Sequence, residues 1–96
     1  MNNRREYIEK FANQLRKWDT EINELELKTE HAKGELKEKY QKMIHDLRNQ
    51  KDELREQLKV LNEANENAWS ELKRGFEESW ENMMESIREA GSYFQK

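Results

Sequence analysis

The chain has 96 residues, room for one small domain at most. It is 41% charged and 33% hydrophobic, with 18 basic groups against 21 acidic ones and neither proline nor cysteine. This excludes disulfides, thiolate nucleophiles and cysteine-ligated zinc, and no apolar run approaches the roughly 20 residues of a membrane-spanning helix.

The first ten residues carry Arg4, Arg5, Glu6, Glu9 and Lys10 and no apolar core of a secretory leader, so the expected setting is cytoplasmic. High charge with few hydrophobics also marks disordered chains, but here the charges nearly cancel, to −3. Good helix formers dominate, and Val60 is the only valine. Glu6–Lys10, Glu24–Lys28, Glu35–Lys39 and Glu38–Lys42 place acid before base at the four-residue spacing that supports a helix. The expected class is all-α.

An apolar stripe with steps of three or four residues runs along the whole chain. It opens with Tyr7, Phe11, Leu15, Trp18, Ile22 and Leu25, and continues through Thr29, Ala32, Leu36, Tyr40, Met43 and Leu47. Lys51, Leu54, Leu58, Leu61 and Asn65 carry it to Trp69, Leu72, Phe76, Trp80, Met83, Ile87, Gly91 and Phe94. Eight of the nine aromatics lie on it. Such a stripe on a charged helix must be buried against something.

From Tyr7 to Phe94 the stripe takes 24 steps over 87 residues. The mean step of about 3.6 lies between the 3.5 of a heptad coil and the 3.67 of an eleven-residue repeat. Trp18, Leu25 and Ala32 are spaced as heptads, whereas Leu36, Leu47, Leu58, Trp69 and Trp80 follow one another every eleven residues. This predicts a long amphipathic coiled-coil helix of mixed heptad and hendecad repeat. A charged unit would span 1–61, a kink or helical-hairpin turn 62–67, and an aromatic-rich amphipathic helix 68–96.

The stretch 62–67 supports two arrangements. Asn62, Asn65 and Asn67 make it the most helix-averse part of the chain, and Asn67 could cap a second helix starting at Ala68. The stripe nevertheless keeps its phase through it, which favours one continuous helix of about 140 Å. Gly34 is a lesser weak point. Charge divides near the same place: residues 1–60 hold 14 basic and 13 acidic groups, and 61–96 hold 4 and 8.

Chemistry is sparse. His31 and His45 are fourteen residues apart and in no metal-binding or catalytic spacing, and no glycine-rich phosphate loop occurs. The ladder Glu77, Glu81, Glu85, Glu89 reads as a solvated face. Basic residues alternate with acidic ones, so no nucleic-acid stripe forms. The expectation is a non-enzyme with no cofactor and no metal, acting through Trp18, Leu25, Leu36, Leu47, Leu58, Trp69, Leu72, Phe76, Trp80, Met83 and Ile87. Its partner would be a second copy of itself, and protein clients are a further class. The alternative is an amphipathic helix lying on lipid through its eleven-residue units, against which the acidic net charge of the aromatic arm counts. Tryptophans are bulky for a two-stranded seam and suit a bundle of three or four helices, or an antiparallel pairing that brings Trp18 to another aromatic. Lys51 can extend its ammonium out of the seam, and Asn65 can fix its register.

Tyr7-Ile8-Glu9-Lys10 with Leu15-x-x-Trp18-Asp19-x-Glu21-Ile22-x-x-Leu25, and Ala68-Trp69-x-Glu71-Leu72-Lys73-x-Gly75-Phe76 followed by Trp80, resemble a group of small bacterial coiled-coil proteins known as a stress-response family. The likeness covers about half the chain. Members often carry Ser-Gly-Asp before the Ala-Trp pair, where this chain has Asn65-Glu66-Asn67 and so lacks a glycine for a sharp turn. The resemblance implies a cytoplasmic role in stress and brings no catalytic residues.

Overall fold

The computed structural model describes residues 3–94, so residues 1–2 and 95–96 of the expected end units lie outside it. Three helices follow one another: α1 (Asn3–Thr29), α2 (Gly34–Glu63) and α3 (Glu66–Phe94). Among the described residues there is no strand, and the all-α expectation holds. The molecule measures 51 × 18 × 17 Å, so the 140 Å rod is replaced by a bundle one helix long.

Residues 1–61 hold two helices rather than one. Glu6 in the first turn and Lys28 in the last suit the dipole of α1. The helix closes when the Thr29 hydroxyl donates to Glu26 C=O at 2.6 Å. Glu30, His31 and Ala32 N–H then donate to Leu27, Lys28 and Thr29 C=O, a tightened turn that leads out of the helix. Lys33 is extended, without a side-chain cap, and Gly34 turns the chain at φ +63°. Only glycine takes that conformation freely. A methyl group at Gly34 would meet nothing within 4 Å, so Gly34→Ala should cost about 1 kcal/mol of backbone strain alone. Gly75, inside α3 and equally open, gives the control: Gly75→Ala should stabilise by about 1 kcal/mol. Urea melts of the two variants, with equal slopes and midpoints moved in opposite directions, would check both.

The second break falls within 62–67, at Ala64–Asn65. Asn65 is the cap, since Ala68 N–H donates to its Oδ1 at 2.9 Å; this corrects both the expected cap at Asn67 and the register role given to Asn65, which is exposed. The Asn65 oxygen reaches the N–H three residues on, which Asn67 stands too close to serve.

Ion pairs set the directions. Asp19 meets Arg55, and Glu26 meets Arg48, so α1 and α2 run antiparallel. Tyr40 meets Tyr93 and Phe94, so α2 and α3 do likewise. Helices α1 and α3 are therefore parallel, and the chain is an up-down-up three-helix bundle. One core runs through it, from Leu15, Trp18, Ile22 and Leu25 through Ile44, Leu47, Leu54, Leu58 and Leu61 to Phe76, Trp80, Met83 and Ala90. The stripe has found its partner inside its own chain.

Candidate functional site

Of the stripe residues expected to hold a partner, Trp18, Leu25, Leu47, Leu58, Phe76, Trp80 and Met83 are buried within the bundle. Trp69 and Ile87 are half-buried. Leu36 and Leu72 lie outside the core, with 46% and 39% of their surface exposed, and the structure does not bring them together with the rest. At the step after Tyr40 the core takes Ile44, leaving Met43 half-buried and packed against it.

The three helices are not equally close. Backbones of α1 and α2 approach along their length, whereas α1 and α3 approach at few points. Aromatic rings hold that pair apart. Trp18 stacks on Trp80 at 4.2 Å between centroids, Phe11 meets Trp80 edge-on at 4.5 Å and Phe76 at 5.1 Å, and Tyr7 meets Trp69 at 5.6 Å. Stacked indoles between two helices fill more space than the aliphatic side chains of ordinary helix packing, where axes lie about 8–10 Å apart. The pairing of Trp18 with an aromatic of another helix is thus present, in parallel helices of one chain.

The gap is an open groove of about 710 Å³ between α1 and α3. Phe11, Trp18, Trp80 and Ile87 form its apolar floor, with Met84 at the rim, 53% exposed. Lys10, Gln14 and Glu21 line it from α1, and Glu81, Glu85 and Arg88 from α3. The stripe pattern found the floor. It missed Met84, which stands one residue off the stripe, and it read Glu81 and Glu85 as solvated face; their place beside a groove depends on α1 lying alongside.

Near the start of α1 the Tyr7 hydroxyl is covered and has no hydrogen-bond partner among the described residues. Burial, then the nearby Glu77 carboxylate, push its ionisation well above the ordinary tyrosine range. The phenol therefore keeps its proton, and the ring fills the aromatic cluster with Phe11, Trp69 and Phe76.

Opposite the groove, α1 and α2 are joined by charge. Lys51, a stripe residue, is buried and donates through Nζ to Asp19 Oδ1, while Arg55 Nη2 donates to Asp19 Oδ2 at 2.9 Å. Two turns away Arg48 donates to Glu26 and, at 3.1 Å, to Asn23 Oδ1. That bond holds the Glu26 carboxyl below its ordinary range and the Arg48 guanidinium above its own. None of the four Glu-to-Lys pairs along single helices closes to ion-pair distance among the described residues, whereas the pairs between α1 and α2 do.

His31 and His45 are exposed, and among the described residues no three His, Asp or Glu side chains converge as metal ligands. Among the described residues no helix is long and apolar enough to cross a membrane. Comparison with protein-family models, with curated proteins and with solved structures finds no match. What the site offers chemically is an aromatic floor between charged walls, suited to a helix with an apolar face.

Proposed function

We propose that this chain is a non-enzymatic helical protein that self-associates, and that it works in the bacterial cytoplasm through helix-mediated protein contacts. The stress-associated part of this reading rests on the resemblance of its two end motifs. The observation that carries self-association is the open α1/α3 groove with Met84 at its rim.

The groove is suited to its own likeness. A twofold contact needs a surface in which residue i meets j while j meets i. Two α3 helices laid antiparallel about Met84–Glu85 set Glu81 of each copy against Arg88 of the other, with the two Met84 side chains at the centre. Among the described residues of one copy Arg88 pairs only with Glu85, at 3.9 Å with both side chains largely exposed, so it is available for a better partner. Methionine adapts to such a surface because its chain is unbranched.

Lipid contact through the eleven-residue units would require the aromatic seam to leave the core, since Phe76, Trp80 and Met83 are buried there. Protein contact requires no such opening.

Light scattering over a concentration series is the test. The wild-type mass should rise from 11.8 kDa toward twice that value, and Met84→Glu should shift the midpoint upward at least tenfold in concentration with helicity unchanged. A Met84→Glu variant that associates like the wild type would refute the groove as the interface.

A further inference from the structure

The connection between α2 and α3 is two residues long and contains no glycine or proline. Ala64 has φ −68° and ψ 146°. Its φ already suits a helix, and only ψ departs from the −42° typical of one. In an unbroken helix Ala68 N–H would donate to Ala64 C=O. Here side chains take both halves of that bond. Ala68 N–H goes to Asn65 Oδ1, and Ala64 C=O accepts from Arg4 Nη1, whose guanidinium also lies over the Trp69 ring at 4.4 Å. Arg4 and Asn65 are therefore the clasp of the closed hairpin, and neither contact has a role if the hinge straightens.

A second observation comes from phase. The buried residues Leu54, Leu58 and Leu61 of α2 recur 22 residues later as Phe76, Trp80 and Met83 of α3, all buried. That interval is two eleven-residue repeats, six helical turns. Straightened at Ala64–Asn65, α2 and α3 would carry their core faces on one side of a single helix. A folded hairpin does not require that alignment. A straight helix does, if its two halves are to be covered by the same partner.

We propose that two copies of this chain exchange α3 across the hinge: α2 and α3 fuse into one helix, and the α3 half packs on α1 and α2 of the second copy. The contacts of the core are then remade between chains, and the hinge gains backbone hydrogen bonds in place of the clasp. Short hinge loops favour such exchange. The partner is a second copy because only it supplies the Trp18, Leu54 and Leu61 surface that α3 already fits. This stands apart from the groove reading, since the interface is the core itself and Met84 stays outside it.

The test uses the full chain carrying Met84→Glu, which removes the groove contact, refolded from denaturant at high concentration. Adding Arg4→Ala and Asn65→Ala should raise the dimer fraction roughly fivefold or more, since loss of the cap alone is worth about that factor. X-ray scattering of the dimer should show a rod of about 90 Å, the length of one helix over residues 34–94, against the 51 Å bundle. Inserting Gly-Gly-Ser between Ala64 and Asn65 should return the protein to a helical monomer. A dimer that ignores the insertion, or an Arg4→Ala variant that keeps its helicity and gains no dimer, would overturn exchange. Association that fails only with Met84→Glu, and never responds to the hinge, would leave the groove reading standing and remove this one.

Discussion

Trp80→Ala is expected to cost about 3–5 kcal/mol, the largest loss of any single truncation here, because an indole is deleted from a core that cannot close around the gap. Trp80 is 8% exposed and touches Trp18, Phe11 and Phe76, so one substitution removes the stack joining α3 to α1 and loosens the floor of the groove as well. A domain of this size holds only about 5–15 kcal/mol in all. Chemical melts should therefore show a far lower midpoint, with α3 protected least in hydrogen exchange. Leu36→Ala and Leu72→Ala, at stripe positions left outside the core, should each change stability by less than about 1 kcal/mol. A Trp80→Ala midpoint as mild as theirs would show that the stripe is not closed within the chain.

The second large effect belongs to Asp19. Removing it as Asp19→Ala takes the hydrogen-bonded partner from the buried Lys51 ammonium and leaves it only Asp52, at 3.8 Å; loss of one member of a buried pair costs about 3–5 kcal/mol. Asp19 is itself a third exposed, which lets water in and places the expectation near 2 kcal/mol. Lys51→Leu, which continues the stripe instead of interrupting it, should be neutral or stabilising, and should rescue Asp19→Ala when the two are combined. A double-mutant cycle on urea midpoints reads this directly. If Lys51→Leu is as damaging as Asp19→Ala, the pair contributes to stability in its own right and not only by its mutual satisfaction.

The sequence announced the burial face well and the folding of the chain poorly. Trp18, Leu25, Leu47, Leu58, Phe76, Trp80 and Met83 lie on a stripe whose period needs no structure to be read, and all are buried. What the period cannot carry is where a helix reverses. A loop of two residues at Ala64–Asn65 leaves the phase intact, so continuity of the stripe was no sign of a continuous helix. The turn at 30–33 had a plainer signal, Gly34, whose weight depends on a φ that composition does not reveal. Asn65 and Asn67 are the same residue type two positions apart, and only geometry tells which one reaches Ala68 N–H. The groove was illegible for a similar reason. Phe11, Trp18 and Trp80 could be listed as seam residues, but their bulk wedging two parallel helices apart is a property of the assembled bundle. The stem of Lys51 packs in the seam as expected, but its ammonium does not extend out of it: it is buried against Asp19, 32 residues earlier, a partner that depends on α1 and α2 lying antiparallel.

Sedimentation equilibrium of the wild-type chain from sub-micromolar to millimolar concentration tests the central claim most directly, namely that the stripe is closed within one chain and that association is added on top. On that claim a folded, helical 11.8 kDa monomer is expected at the dilute end, with a dimer that grows with concentration. A species of two or more chains that persists to the lowest concentration, or a dilute monomer that has lost its helicity, would contradict it by showing that the stripe needs a second chain to be buried at all.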